Sequence, residues 1–137
     1  LQKFKIPKFE ARLYCGIFKK INSKLILVTL IYRAGYIDDI EMFYVKDNPI
    51  DFLKIKLKES KHFAQIRYVF LIIDQLLFNL KNFNNFPKPL IIKTKKKILL
   101  KNVSKQEYET LKSRGYLKHS LNILKVILKI FNHEILS

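Results

Sequence analysis

The chain has 137 residues, of which 49% are hydrophobic, and 27 Lys or Arg stand against 11 Asp or Glu for a formal net charge of +16. That apolar share exceeds what a disordered chain carries, and a chain this long buries roughly two thirds of its unfolded surface, so one domain spanning residues 1–137 is expected. A single cysteine excludes an internal disulfide and a cysteine-built metal site, and the longest apolar runs, Leu25–Ile31 and Tyr68–Ile73, fall far short of the roughly 20 residues of a membrane helix.

Lys3, Lys5, Lys8 and Glu10 interrupt the start before an apolar signal segment can form, so a cytoplasmic protein with no membrane partner is expected. Ala11 to Phe18 is short, apolar and aromatic, which predicts a strand ending near Lys19-Lys20, with Cys15 as a buried thiol. Ile21 to Lys24 reads as a turn. Leu25 to Tyr32 is a continuous apolar run that predicts a strand covered on both faces, ended by Arg33-Ala34-Gly35. Tyr36 to Val45 predicts a third strand with Ile40, Met42 and Tyr44 on one side. Short links join the three, which favours an antiparallel meander.

Asp47 or Asn48 can cap a following helix, with Pro49 at its first position and Ile50, Leu53 and Leu57 sharing one face up to about Lys61. Ile66 to Ile73 reads as a central strand that runs parallel to a neighbour, because it follows a helix. Leu76 to Phe83 is a short helix or an irregular apolar segment, and Phe86-Pro87-Lys88-Pro89 cannot be regular interior structure. Leu90 to Ile92 is a short strand, and Ile98 to Leu100 continues the same edge. Ser104 with Glu107 is a capping box that opens a helix ended by Gly115. The last helix, about Lys118 to Ile135, carries one narrow polar stripe of Lys118, Asn122, Lys125, Lys129 and Asn132, so it should be mostly buried against a sheet face or a second subunit. The order predicts an α/β domain with a mixed sheet and flanking helices.

The positive charge is unevenly placed. Between Asp74 and Glu107 there is no acidic residue, while Lys81, Lys88, Lys93, Lys95, Lys96, Lys97, Lys101 and Lys105 fall inside that interval. A field of this sign concentrates polyanions, and Lys93, Lys95, Lys96 and Lys97 are either a solvated hairpin or a contact to phosphate backbone. His62 and Arg67 are further candidates for a phosphate contact, since arginine offers bidentate geometry that lysine lacks. Asp74, at the carboxyl end of a buried strand, stands where open α/β sheets place ligands and catalytic groups, or it caps the next segment. Asp38, Asp39, Glu41 and Asp47 form the only dense acidic patch, either turn residues paired with cations or, with Asp74, a divalent-metal set. Phosphate-loop, dinucleotide-binding, zinc-protease and serine-hydrolase motifs are absent.

The run Ser60-Lys61-His62-Phe63-Ala64-Gln65-Ile66-Arg67, followed by the apolar strand to Ile73 and by Asp74, resembles the most recognisable stretch of an uncharacterised archaeal family related to endonuclease V. Members of that family read S-x-H-x-x-Q-I-R, then an apolar strand, then L-D-G-I-T-F-x-G-F-N; Asp74, Phe78, Phe83 and Asn84 keep its Asp, Phe and Phe-Asn positions. Leu25–Gly35, Val45-Lys46-Asp47, Pro89–Lys97 and Gly115–Ser137 resemble other segments of the family more loosely. The resemblance implies an RNase H-like fold: three antiparallel strands, a helix, then parallel strands. It implies Asp74 and Asp47 as metal-binding and catalytic positions for Mg²⁺ or Mn²⁺, and DNA or RNA as partner. The chain departs from the family at its first strand, where Cys15-Gly16-Ile17-Phe18-Lys19 replaces a strand end carrying two consecutive acids, and at Gln75, where the family has glycine. A lysine there repels metal ions. The leading expectation is therefore nucleic-acid binding with weakened or lost nuclease activity. The alternatives are an active metal-dependent endonuclease, or a structural protein that dimerises through its C-terminal helix.

Overall fold

The computed structural model describes residues 7–73 and 79–136. Its framework is a six-stranded mixed sheet: β1 (Arg12–Ile21), β2 (Lys24–Arg33), β3 (Tyr36–Tyr44), β4 (Ile66–Ile72), β5 (Leu90–Lys93) and β6 (Ile98–Lys101). Across the sheet the strands run in the order β3, β2, β1, β4, β5, β6. β1, β2 and β3 are antiparallel neighbours, β4 is parallel to β1, β5 is parallel to β4, and β6 returns antiparallel to β5. The expected meander and the parallel fourth strand are both present.

Local chemistry sets the corners. β1 runs through the two lysines to Ile21, beyond the expected end, because a two-residue turn at Asn22 (φ 50°) and Ser23 (φ 67°) closes the hairpin directly onto Lys24. Ala34 (φ 49°) and Gly35 (φ 93°) make the second two-residue turn. Positive φ at both central residues matches the twist of the flanking strands. At the end of β3, Asp47 adopts φ 62° and Asn48 caps α1 (Pro49–Glu59), its side chain accepting from the amides of Ile50 and Asp51.

Helices cover both faces of the sheet. On one face α1 buries Ile50, Leu53 and Leu57 against Leu27, Ile31, Val69 and Leu71. On the other, α2 (Lys105–Ser113) and α3 (Tyr116–Leu136) bring Leu111, Leu117 and Leu124 onto Leu13, Cys15, Ile26, Val28 and Phe70. The Ser104 and Glu107 capping box forms as expected. The second carboxylate oxygen of Glu107 accepts a 2.5 Å hydrogen bond from the Tyr68 hydroxyl, which ties α2 to β4. Gly115, at φ 79°, separates α2 from α3.

The lysine cluster caps a hairpin between β5 and β6, the loop form expected of it. One expectation is modified. α3 is less covered than its apolar face suggests, because Val126 and Ile130 are exposed, as are Ile40, Met42 and Tyr44 on edge strand β3. No helix among the described residues is long and apolar enough to cross a membrane.

Candidate nucleic-acid interface

Parallel strands β4 and β5 end level with Ile17 of β1, which runs on to Ile21, and a cleft of about 530 Å³ opens at these carboxyl ends. From β1 the chain turns back toward β2 and β3, and from β4 it leads on toward β5 and β6. Such a point of divergence, outside the carboxyl ends of the strands, is where open α/β sheets bind ligands. The floor is apolar, from Ile17 and Phe18 of β1, Ile72 of β4 and the adjoining Ile73. Leu121 of α3 closes one side.

The rim is cationic. Lys19 and Lys20 come from β1, Lys93 and Lys95 from the β5–β6 hairpin, and Lys125 from α3; no Asp or Glu is among the described lining residues. Strand alternation brings two of these lysines to one face. Ile17 and Ile21 pack on the α3 side, so Lys19 between them points to that side, and Lys93 shares it with Ile91. Lys20, in phase with Phe18, belongs instead to the α1 side. A second depression of about 350 Å³ continues past Lys19 and Lys20 to Lys129 and Asn132 of α3. Lys125, Lys129 and Asn132, part of the polar stripe that the sequence suggested only as the solvent side of a packing helix, thus wall this basic track.

The residues singled out in the sequence are distributed over the two ends of the sheet. Lys93 and Lys95 line the cleft, while Lys96 and Lys97 are exposed on the same hairpin. Arg67 and His62 stand at the amino end of β4. Arg67 is level with the start of β1, about 16 Å along the strand from the level of Lys93 at 3.3 Å per residue. The Arg67 guanidinium donates to the Ala64 carbonyl at 2.9 Å. The His62 amide donates to the Ser60 hydroxyl at 3.2 Å, and His62 Nε2 is buried without a hydrogen-bond partner among the described residues. These two cannot share one short phosphate segment with the hairpin lysines.

Among the described residues the acids do not assemble. Asp38 is held at the amino end of the sheet by Arg12 Nε at 3.0 Å and by Arg33, whose Nε and Nη2 donate at 3.1 and 3.2 Å. The Arg33 hydrogen bonds, reinforced by Arg12 and opposed by burial, hold its carboxyl below the usual range. Asp39 and Glu41, paired with Ile31 and Thr29, face the α1 side of edge strand β3. Asp47 lies at the carboxyl end of the sheet but beyond β3, two strands from β1, beside Lys24, Tyr44 and Lys46. Asp74 directly follows Ile73 and lies outside the described residues. No three His, Cys, Asp or Glu side chains gather among the described residues. Among the described residues the ends of β1 and β5 bring Lys19, Lys20 and Lys93 to the cleft and no carboxylate, and ammonium groups at these positions disfavour a divalent cation beside them.

No family model matches the chain and no curated protein does. Its fold is shared with an archaeal protein. That protein, of unknown function, comes from Archaeoglobus fulgidus DSM 4304; the two superpose with a TM-score of 0.72 over 88% of this chain and 97% of that one, at 15% sequence identity. At this identity the likeness establishes the fold alone.

Proposed function

We propose that this chain binds nucleic acid through the phosphate backbone in the lysine-rimmed cleft, and that it is an RNase H-like relative of endonuclease V whose nuclease activity is weakened or lost. The observation that carries this reading is the convergence of Lys19, Lys20, Lys93, Lys95 and Lys125 at the ends of β1, β4 and β5 with no described acid among them. The strand order and directions support the fold assignment. Lysine side chains neutralise phosphates as point charges and read no base edge, so the expected binding is salt-sensitive and tolerant of sequence. The test is fluorescence anisotropy with short labelled DNA and RNA strands, comparing the native chain with a Lys19→Glu/Lys125→Glu variant. The variant should bind at least about tenfold more weakly, because two cations are removed and two anions introduced. Unchanged affinity removes the cleft as the binding site. Cleavage of inosine-containing strands in Mg²⁺ or Mn²⁺, abolished by Asp74→Asn, would replace the reading with an active nuclease using Asp74 and Asp47.

A second reading has its own observation. Val126 and Ile130 of α3 and Ile40, Met42 and Tyr44 of edge strand β3 leave apolar side chains exposed on the α3 face of the sheet, toward its β3 edge. Association of two copies through the last helix would cover them, and sedimentation showing a monomer at micromolar concentration would end that idea.

A further inference from the structure

The hairpin between β5 and β6 places Lys93, Lys95, Lys96 and Lys97 within five consecutive positions. Like charges this close repel one another, and a flexible loop would spread them into solvent. The structure shows Lys95, Lys96 and Lys97 exposed but on an ordered turn, and a single residue closes it. Thr94 is buried while Lys95 and Lys96 on its carboxyl side are exposed. Its amide donates to the Lys97 carbonyl at 2.9 Å, and its hydroxyl oxygen accepts from the Lys97 amide at 3.0 Å. The same hydroxyl lies 3.4 Å from the Lys97 carbonyl as a donor. These bonds close the loop on itself just beyond the Lys93 and Ile98 pair. Thr94 also lines the cleft, so the loop is fixed relative to Lys19 and Lys125.

We infer that Thr94 is a positioning residue: it holds the β5–β6 lysines as a rigid clamp that takes backbone phosphates at the mouth of the cleft. The inference rests on the reading of the cleft as a nucleic-acid site and adds the device that organises it. Ordering the cations before the ligand arrives removes an entropic cost that each long side chain and its loop would otherwise bring to binding. Valine has the shape of threonine and keeps the β-branch that favours this strand end, but it lacks the hydroxyl. Serine keeps the hydroxyl.

The experiment measures affinity for a labelled single strand as a function of salt for the native chain, Thr94→Val and Thr94→Ser. Thr94→Val should bind about fivefold more weakly, the scale of one ordering hydrogen bond, with a shallower salt dependence because fewer lysines engage at once. Thr94→Ser should restore both. A Lys95→Ser/Lys96→Ser background should erase the effect of Thr94→Val, since the residue acts through those side chains. Native affinity and salt dependence in Thr94→Val overturn the inference, and if the Lys19→Glu/Lys125→Glu variant still binds weakly the cleft reading survives that failure. If instead the native chain binds no strand at all, the cleft reading itself has failed. A measurement on the native chain guards against a valine variant that does not fold. The backbone amides of Lys95 and Lys96 should show NMR order parameters of about 0.85, and values below about 0.6 would contradict a preformed clamp.

Discussion

Lys19 at the end of β1 and Lys93 at the end of β5 stand on the same face of the sheet and flank the end of β4 from either side. Two cations held on strand ends with one strand between them repel each other, so the arrangement costs stability unless an anion lies between them. Replacing Lys93 with glutamate should therefore weaken strand binding and leave the melting temperature unchanged or slightly higher. Thermal unfolding and anisotropy on the same variant separate the two effects. A lower melting temperature with native affinity would assign Lys93 to folding alone.

The Tyr68 and Glu107 pair joins the sheet to the second helix inside the core, where both residues are buried. Removing the hydroxyl leaves a buried carboxylate oxygen with one donor fewer, so Tyr68→Phe should destabilise the chain by about 1–3 kcal/mol in urea unfolding. The loss lies far from the cleft, and strand affinity at a temperature where the variant is folded should be native. An effect below about 0.5 kcal/mol would show that water or another donor replaces the hydroxyl.

Burial pushes the Cys15 thiol from about 9 up to about 12, and burial raises the Tyr14 hydroxyl well above its ordinary value. Both groups ionise in the unfolded chain before they ionise in the folded one. Above about pH 9 the unfolded state therefore holds fewer protons, and stability falls as pH rises. The alkaline decline should shrink in Cys15→Ala when chemical denaturation is repeated from pH 7 to pH 10.5. Aromatic disulfide reagents should leave Cys15 unmodified in the native protein and modify it fully in guanidinium, whereas rapid native labelling would place the thiol at the surface.

Asp38 contributes in the opposite pH range. Its carboxyl is held low by the Arg33 and Arg12 guanidinium groups, so its stabilisation is present above the ordinary carboxylate range and is lost as pH falls through its lowered value. Asp38→Asn should cost less than about 1 kcal/mol at neutral pH, as expected of partly exposed ion pairs, and should flatten the acid limb of the stability curve. An unchanged acid limb would mean that the arginines contribute nothing net.

Much of the fold was legible in the sequence because local signals agreed with the tertiary arrangement. Apolar runs over 25–32 and 66–73, the Asn48 and Pro49 helix start and the Ser104 and Glu107 capping box each name an element by their own chemistry. The site was less legible. Lys19 registered only as a departure from a family pattern, and Lys125 only as part of a polar stripe on a packing helix. Their meeting with Lys93 depends on β4 inserting beside β1 and on α3 crossing that end of the sheet, which are long-range facts no local period encodes. Arg67 and His62 show the converse. They lie in the most recognisable stretch of the chain, yet the parallel direction of β4 carries them to the end of the sheet away from the hairpin lysines.

The central claim is that ammonium groups, without help from a divalent ion, hold phosphates at the carboxyl ends of β1, β4 and β5. The most direct measurement is the affinity for a short single strand between about 50 and about 200 mM salt, made once in EDTA and once in Mg²⁺. The account predicts a logarithmic plot that falls linearly with a slope near −3, for four or five lysines each contributing about 0.7, and tight binding retained in EDTA. Binding that is flat in salt, or that appears only when Mg²⁺ is present, would contradict it.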